Sequence, residues 1–348
     1  MVSEAQSNKN HRAPALVLIL LAPALGELLL GSSPPREFFS PPALVLLGLM
    51  YGGGSLIVRE LAVRSGKGWL SVALLGFAYG ILEEGLACRS FFDPQWPDLG
   101  ILGTYGRALG VNWIWTLQLI LYHSLVSISL PIAITCILFP GERAQPWLGR
   151  KGLTALVVLF LAEILFCFFC FATPGRPPYR PPLLCIAGSV LAATALIFGA
   201  LRPAHAPVES ARSGGRPVSP FMLSLTGFFF MAILLIAPHA AYSACYPPVL
   251  AFVLLTFCAL LFGALLYREA GAGDFSSRQL IALVTGPLMF LILLSPVQEL
   301  DNAKRPDDTS GMALVGLGAF IFLIILHWKE KEDRRSPVST SHREEMRQ

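Results

Sequence analysis

The run WLSVALLGFAYGILEEGL, residues 69–86, is almost entirely apolar but carries two adjacent glutamates near its end. A helix of about 20 apolar residues spans the hydrocarbon core of a bilayer. An acidic side chain in that core is expensive unless it faces a partner or a cavity. Glu83 and Glu84 therefore bear on two questions, namely whether the chain lies in a membrane and what it does there.

Similar apolar runs recur along the 348-residue chain, which is 54% hydrophobic and only 14% charged. Soluble domains carry about 25% charged residues. The ten runs cover residues 14–31, 40–58, 69–86, 112–139, 153–172, 183–201, 221–238, 247–267, 279–295 and 311–328. This pattern predicts an all-α, polytopic bundle of about ten transmembrane helices in the cell membrane.

Lys and Arg are distributed unevenly between alternate loops. With the N-terminus placed in the cytoplasm, the inner segments carry 19 of these residues and the outer segments carry 7. Because short cytoplasmic loops are enriched in Lys and Arg, both termini are predicted to be cytoplasmic. The net charge of +4 follows from this bias, so it gives no reason to expect nucleic-acid binding.

The loops divide the chain into five predicted segments. A stretch rich in Pro, Gly, Ser and Arg, residues 202–220, predicts a cytoplasmic linker. It separates a six-helix membrane region, 14–201, from a four-helix region, 221–328. Residues 1–13 are predicted to be a cytoplasmic segment, and residues 329–348 a disordered, charged cytoplasmic tail.

The first apolar run also has features of a signal peptide. Lys9 and Arg12 precede it, and Ala22-Pro23-Ala24 resembles a small-residue cleavage site. The run continues beyond that site, so an uncleaved first helix is the preferred prediction.

Seven cysteines show no clustering typical of a metal site. Cys167 and Cys170 have CxxC spacing but fall within an apolar run, where free cysteine packs as a small apolar residue. Cys88, Cys185 and Cys245 fall near the predicted outer side, where a disulfide is chemically feasible but spacing does not pair them.

The predicted outer loop between the third and fourth runs is rich in aromatic residues. We expect it to lie against the outer surface through Phe91, Phe92 and Trp96, with Trp113 just beyond it. It could act as a lid over the helices or simply anchor the protein at the interface.

Several ionisable residues fall deep within the apolar runs. A helical rise of about 1.5 Å per residue puts Glu83 and Glu84 about 21–23 Å across a core of about 30 Å. Glu27 and His123 reach comparable depths, and Glu163 falls near the midplane. Carboxylates close together in a low dielectric cannot all stay ionised, so one could act as a general acid or base. The same set also suits a proton-coupled carrier.

Small residues indicate which glutamate faces the bundle. Gly76, Gly80 and Glu84 form an i, i+4, i+8 stripe, and small residues at that spacing let helices approach closely. Glu84 is therefore predicted to be the reacting residue, with Glu83 supporting it. The side chains of Glu84 and His123 are predicted to lie within roughly 5–6 Å of each other. In the alternative, a glutamate pairs with Arg89 at the interface.

Other polar positions have simpler interpretations. Tyr51-Gly52-Gly53-Gly54-Ser55 lacks the Lys and the preceding strand of a nucleotide-binding loop, so it indicates close helix packing. Arg59, Glu60 and Arg64 form a predicted anchoring cluster at the cytoplasmic end. His239 falls near the outer interface and could cap the cavity of Glu84.

The spacing of these residues resembles that of the CAAX-protease and bacteriocin-processing family of intramembrane enzymes. That family carries E-E-x-x-x-R, F-x-x-x-H and H-x-x-x-N/D. Here one extra residue precedes Arg89, Leu119 replaces the Phe, and Ser243 follows His239 in place of Asn or Asp. The resemblance implies a hydrolase in which a glutamate activates water, with Glu83, Glu84, His123 and His239 as candidate site residues.

A second resemblance extends over the second to fourth runs. The segments YGGGSLIVRE, GWLSVALLGFAYGILEEG and NWIWTLQLILYHS are similar to those of an uncharacterised group of bacterial multi-pass membrane proteins. This resemblance implies no activity.

Three functions follow as hypotheses. The first is a membrane-embedded hydrolase in which Glu84 is the base and His123 orients water, substrate or a divalent metal. The second is a proton- or cation-coupled transporter using Glu27, Glu84 and Glu163, and the third is a non-catalytic assembly subunit. No nucleotide motif occurs. The expected partners are the lipid bilayer and a membrane-embedded or lipid-like substrate.

Overall fold

The computed structural model describes residues 12–172, 175–202, 218–270, 275–304 and 307–335. Ten long helices follow the ten apolar runs in order. They are α1 (Arg12–Pro23, continued by Ala24–Leu28), α2 (Pro41–Arg64), α3 (Trp69–Ala87), α4 (Trp113–Leu138), α5 (Arg150–Cys170), α6 (Leu183–Leu201), α7 (Pro220–Ser243), α8 (Pro248–Ala270), α9 (Ser277–Leu300) and α10 (Met312–Arg335). The predicted all-α helical bundle is confirmed.

Nine helices in the described part of the chain, α2 to α10, are long and apolar enough to cross a membrane. The other long helix, α1, is shorter, with 12 α-helical and 5 π-helical residues. Outward faces carry large apolar side chains, such as Val158, Leu165 and Phe166 on α5. In a bilayer such faces contact lipid, so the chain is a multi-pass membrane protein. The inside or outside position of its termini stays a prediction.

The bundle has a buried centre and an exposed periphery. In the apolar stretch of α4, 78% of the residues are buried, whereas in that of α8 only 17% are buried. A helix buried on all sides can carry polar side chains only if each finds a partner. On α4, His123 and Ser124 bond to groups of α3. Thr116 Oγ1 and Gln118 Oε1 are buried without a hydrogen-bond partner among the described residues.

Two glycines bring α3 and α4 together. A Cβ added at Gly76 would lie 2.8 Å from the Cα of Ser124, and one added at Gly80 would lie 3.2 Å from the Cβ of His123. This confirms the predicted role of the small-residue stripe in close helix packing. It also sets the end of α3, with its two glutamates, directly beside His123.

Four π-helical segments interrupt the inner helices. They are Ala24–Leu28 in α1, Gly48–Gly53 in α2, Ile81–Ala87 in α3 and His123–Ser129 in α4. Fewer than about 1% of residues in globular proteins are π-helical, and π-bulges often occur at functional sites. Within the described ranges, every π-helical segment contains a polar residue of the site described below.

The loop between α3 and α4 is ordered and packs onto the bundle. It contains a 3₁₀ helix, Pro97–Gly103, and a small antiparallel hairpin of β1 (Arg107–Ala108) and β2 (Val111–Asn112). Phe91 and Phe92 are buried and Trp96 is half-buried, as predicted, whereas Trp113 is 44% exposed. The loop is therefore a cover over this end of the helices.

The remaining connections are short where they are described. A helical turn, Pro35–Phe38, precedes α2, and 3₁₀ turns occur at Pro140–Glu142 and Asn302–Lys304. Residues 203–217 of the predicted linker and 336–348 of the predicted tail lie outside the described residues, as do residues 1–11. The last helix extends to Arg335, beyond the predicted start of the tail at 329.

Two further predictions concern the cysteines and the cluster of Arg59, Glu60 and Arg64. Cys88, Cys185 and Cys245 are free thiols. Glu60 is fully buried and pairs with Arg59 at 2.8 Å and with Arg64 at 3.1 Å. The predicted anchoring cluster is thus an ion-pair network around buried Glu60, in which Arg59 is buried and Arg64 is exposed. Glu60 also accepts a hydrogen bond from the backbone of Trp147.

Candidate functional site

Two adjacent helices bring three ionisable side chains into contact. We call Glu83 and Glu84 of α3 and His123 of α4 the Glu–His cluster. Their exposed fractions are 2%, 9% and 2%, so all three are buried. Both elements are π-helical at this point, and the consecutive residues Glu83 and Glu84 both contact the same histidine.

Glu84 contacts His123 directly. Its Oε1 lies 3.1 Å from His123 Nε2, closer than the water-bridged distance predicted from the sequence. Its Oε2 accepts a hydrogen bond from Ser90, and Trp115 Nε1 donates to the same hydroxyl at 3.1 Å. Both carboxylate oxygens of Glu84 are therefore occupied, and the covering loop holds one of them.

Glu83 lies on the other side of the imidazole ring. Its Oε2 is 3.2 Å from His123 Nδ1, but the hydrogen bond of that nitrogen is with Ser127 Oγ, at 3.0 Å. Glu83 Oε2 is buried and accepts no hydrogen bond from any described residue. Since a buried carboxylate oxygen without a donor is unfavourable, this atom has capacity for a further interaction.

A third carboxylate lies beside the cluster. Glu27 of α1 accepts hydrogen bonds from the Tyr51 hydroxyl and from Ser33 Oγ, the latter at 2.8 Å. The Tyr51 ring is also one of three tyrosine rings packed around His123, with a centroid distance of 5.9 Å. The other two, Tyr79 and Tyr122, lie at 5.9 and 5.6 Å.

The predicted alternative, a pair between a glutamate and Arg89, is wrong. Arg89 donates to the carbonyls of Phe168 and Phe171 and so caps the C-terminal end of α5. It is the basic side chain nearest to Glu84 in sequence, yet it makes no ion pair with either glutamate among the described contacts. Burial raises the pKa of the neighbouring Cys88 thiol well above its usual value, which disfavours the nucleophilic thiolate.

Two predicted residues lie outside the cluster. Glu163 of α5 is 6% exposed, and neither carboxylate oxygen has a hydrogen-bond partner among the described residues. It interacts electrostatically with Glu83 but supplies no ligand atom to the cluster. His239 is exposed, and its Nδ1 contacts the Leu235 carbonyl of its own helix at 3.2 Å. It does not cap the cluster.

Sequence reasoning missed three contributors. Tyr51 stands in a glycine-rich segment that indicated only close packing, and Ser90 in a loop without a recognisable motif. Trp115 stands in an aromatic stretch without a recognisable motif, yet it is buried and donates a hydrogen bond to Ser90. The sequence offered one indirect signal, for Tyr51: a glutamate within an apolar run, such as Glu27, needs a hydrogen-bond donor from a neighbouring helix.

Comparisons with known proteins place the chain in a broad class. Residues 16–270 match the model of a family described as "Uncharacterized membrane protein family", a match that covers α2 to α8 and most of α1. No curated protein and no solved structure matches the chain.

Proposed function

The chain belongs to this uncharacterized membrane protein family, and we propose that it is a membrane-embedded hydrolase whose Glu–His cluster activates water. One observation carries the proposal. Glu83 Oε2 is buried, accepts no hydrogen bond from the described residues, and lies 3.2 Å from His123 Nδ1. A fixed carboxylate lone pair in a low dielectric is suited to take a proton from a bound water.

The hydrogen bonds assign different roles to the two glutamates. Both oxygens of Glu84 are occupied, by His123 and by Ser90. Glu84 is thus suited to orient the imidazole, whereas Glu83 is suited to act as the base. This reverses the roles predicted from the glycine stripe, which indicated only which face of α3 packs against α4.

Hydrolysis of an ester or amide fits this arrangement. The water oxygen would bond to the carbonyl carbon while its proton moves to Glu83. The bond to the leaving oxygen or nitrogen would then break, and the leaving group would take that proton. His123, held between two carboxylates, would stabilise charge at the reacting centre. The resemblance to the CAAX-protease and bacteriocin-processing family supports a peptide or lipid-like substrate within the bilayer.

Oxygen-isotope labelling tests the reaction class without a known substrate. Membranes containing wild-type protein or the Glu83→Gln variant would be incubated in ¹⁸O-enriched water, followed by mass spectrometry of peptides and lipids. We expect products with one ¹⁸O in a new carboxyl group in the wild-type sample only. Identical labelling in the two samples would contradict the proposal.

A second candidate is a proton-coupled carrier that would use the predicted acids Glu27, Glu84 and Glu163. Glu84 and Glu163 are buried, and Glu27 is half-buried. Glu163 has no hydrogen-bond partner among the described residues and interacts with Glu83, as expected of a site that exchanges protons. Purified protein in liposomes with a pH-sensitive dye inside would distinguish the two. Proton flux that Glu163→Gln abolishes, without ¹⁸O-labelled products, would favour the carrier.

A further inference from the structure

We propose that the Glu–His cluster binds one divalent metal ion of the zinc type, through Glu84 Oε1, His123 Nε2 and one carboxylate oxygen of Glu83. The inference rests on the proposed function, because the ion would hold the water that is activated. It also has its own basis in geometry, charge and ligand chemistry.

The geometry brings three potential ligand atoms together. One atom from each of the three residues lies within 4.8 Å of the other two. Zinc–ligand bonds of about 2.0–2.2 Å in a tetrahedron place neighbouring ligand atoms about 3.4 Å apart. The observed distance of 3.1 Å between Glu84 Oε1 and His123 Nε2 is close to that spacing.

Charge provides a separate reason. Within the described part of the chain, the ion pairs of Glu83 and Glu84 are with His123 alone. The nearest arginine along α3, Arg89, is committed to the carbonyls of α5. A histidine that binds a metal ion is neutral, so two ionised carboxylates beside it would leave two negative charges in a medium that solvates them poorly. A divalent cation neutralises both.

The surrounding hydrogen bonds are those of a supported metal site. A metal-bound histidine normally donates its other ring N–H to a polar group, and metal-bound carboxylates are themselves hydrogen-bonded. His123 Nδ1 contacts Ser127 Oγ at 3.0 Å, and Glu84 Oε2 accepts from Ser90. Glu83 Oε2 is buried, accepts no hydrogen bond from the described residues and lies 3.2 Å from His123 Nδ1, so this carboxylate has an oxygen open to a cation or to its bound water.

The ligand set also limits the metal. Two carboxylates and one imidazole, without a thiolate, suit zinc or manganese rather than copper(I) or an iron–sulfur cluster. Three protein ligands leave a fourth tetrahedral position for water, which is the arrangement of catalytic zinc sites. One oxygen of Glu83 can bind the ion while the other accepts the proton.

Metal content of the full-length protein, purified in detergent, tests the proposal. Wild type and variants would be incubated with Zn²⁺, desalted, and measured by inductively coupled plasma mass spectrometry. We expect about one zinc per chain in wild type and in the matched control Glu163→Gln, whose carboxylate is buried but outside the ligand set. The variants Glu84→Gln and His123→Gln should each retain at most about one tenth of the zinc that the wild type retains.

Less than about one tenth of a zinc per folded wild-type chain would overturn the metal site, whether or not the variants fold. Equal zinc in wild type and His123→Gln would overturn it as well. Hydrolysis measured on the same samples separates this inference from the proposed function. Metal-free but active protein would refute only the metal site, and zinc-loaded protein that forms no ¹⁸O-labelled product would refute only the hydrolase.

Discussion

His123 Nε2 and Glu84 Oε1 lie 3.1 Å apart across the contact between α3 and α4, at the point where Gly80 leaves room for the imidazole. This contact joins two π-helical segments, Ile81–Ala87 and His123–Ser129. The backbone of both helices is therefore adapted to the position of these two side chains. Such a departure from regular α-helix is expected where function, rather than packing, determines local structure.

The first prediction separates the roles of the two glutamates. Glu83→Gln removes the proposed base while keeping its volume, so it should lower hydrolysis about 10²–10⁴-fold. Glu84→Gln keeps an acceptor for Ser90 but weakens the proposed zinc site, so it should cause a smaller loss, of about tenfold. Both variants should elute as monodisperse protein in detergent. A larger loss for Glu84→Gln would assign the base to Glu84 instead.

The second prediction concerns the helix contact that sets the site. Gly76→Ala would place a Cβ 2.8 Å from the Ser124 backbone, and overpacking of this kind destabilises by about 1–3 kcal/mol. Thermal unfolding in detergent should show a lower midpoint. The matched control is Gly263→Ala on α8, because a Cβ added at Gly263 would have no neighbouring atom within 4 Å. Equal midpoints for the two variants would show that α3 and α4 are not held this closely.

The third prediction tests the ion-pair network at the end of α2. Glu60→Ala leaves the buried guanidinium of Arg59 without its partner, and breaking a buried pair in this way destabilises by about 3–5 kcal/mol. The control is Arg268→Ala, which removes a pair whose arginine side chain is 54% exposed. We expect unfolding by guanidinium or heat to reveal a large loss only for Glu60→Ala. A small loss would mean that the hydrogen bonds from Arg59 to the carbonyls of Glu142 and Arg143 are enough to hold its side chain.

Much of the fold follows from apolar periodicity, because a bilayer requires every spanning segment to be a helix. The same physics predicted that Glu84 and His123 would meet, since both are expensive in lipid and lie on facing helices. A supporting role for Glu83 was predicted as well, but its direct contact with His123 was not. In a regular α-helix its side chain points about 100° away from that of Glu84. Both carboxylates nevertheless contact the imidazole, within the π-helical turn Ile81–Ala87, and no residue in that turn signals it.

Side-chain partners from distant parts of the chain were equally hidden. Ser90 Oγ donates to Glu84 only because the covering loop folds back over α3. Tyr51 donates to Glu27 because α1 and α2 pack closely at Gly52, where an added Cβ would lie 2.4 Å from the Ile19 carbonyl. Apolar patterns record which face of a helix is buried, but not which hydroxyl will lie opposite a carboxylate.

The fourth prediction is the orientation of the chain. The excess of Lys and Arg in alternate loops, 19 against 7, predicts cytoplasmic termini. Reporter fusions after Lys151 and Arg216 should therefore be cytoplasmic, and fusions near Pro97 and Pro306 external. The opposite result at two or more of these sites would invert the topology and place the Glu–His cluster in the inner half of the membrane.

The last prediction links the covering loop to the site through Asn112. This buried side chain donates to the Leu102 carbonyl at 2.7 Å and accepts from the Trp115 backbone at 3.1 Å, where it caps the start of α4. Loss of such a cap costs about 0.5–2 kcal/mol. Asn112→Ala should therefore speed hydrogen exchange in residues 90–112. Hydrolysis should fall with it, since Ser90 orients Glu84. Gln95→Ala, an exposed change in the same loop, should alter neither. Faster exchange in the loop with full hydrolysis would show that the loop covers the site without positioning it.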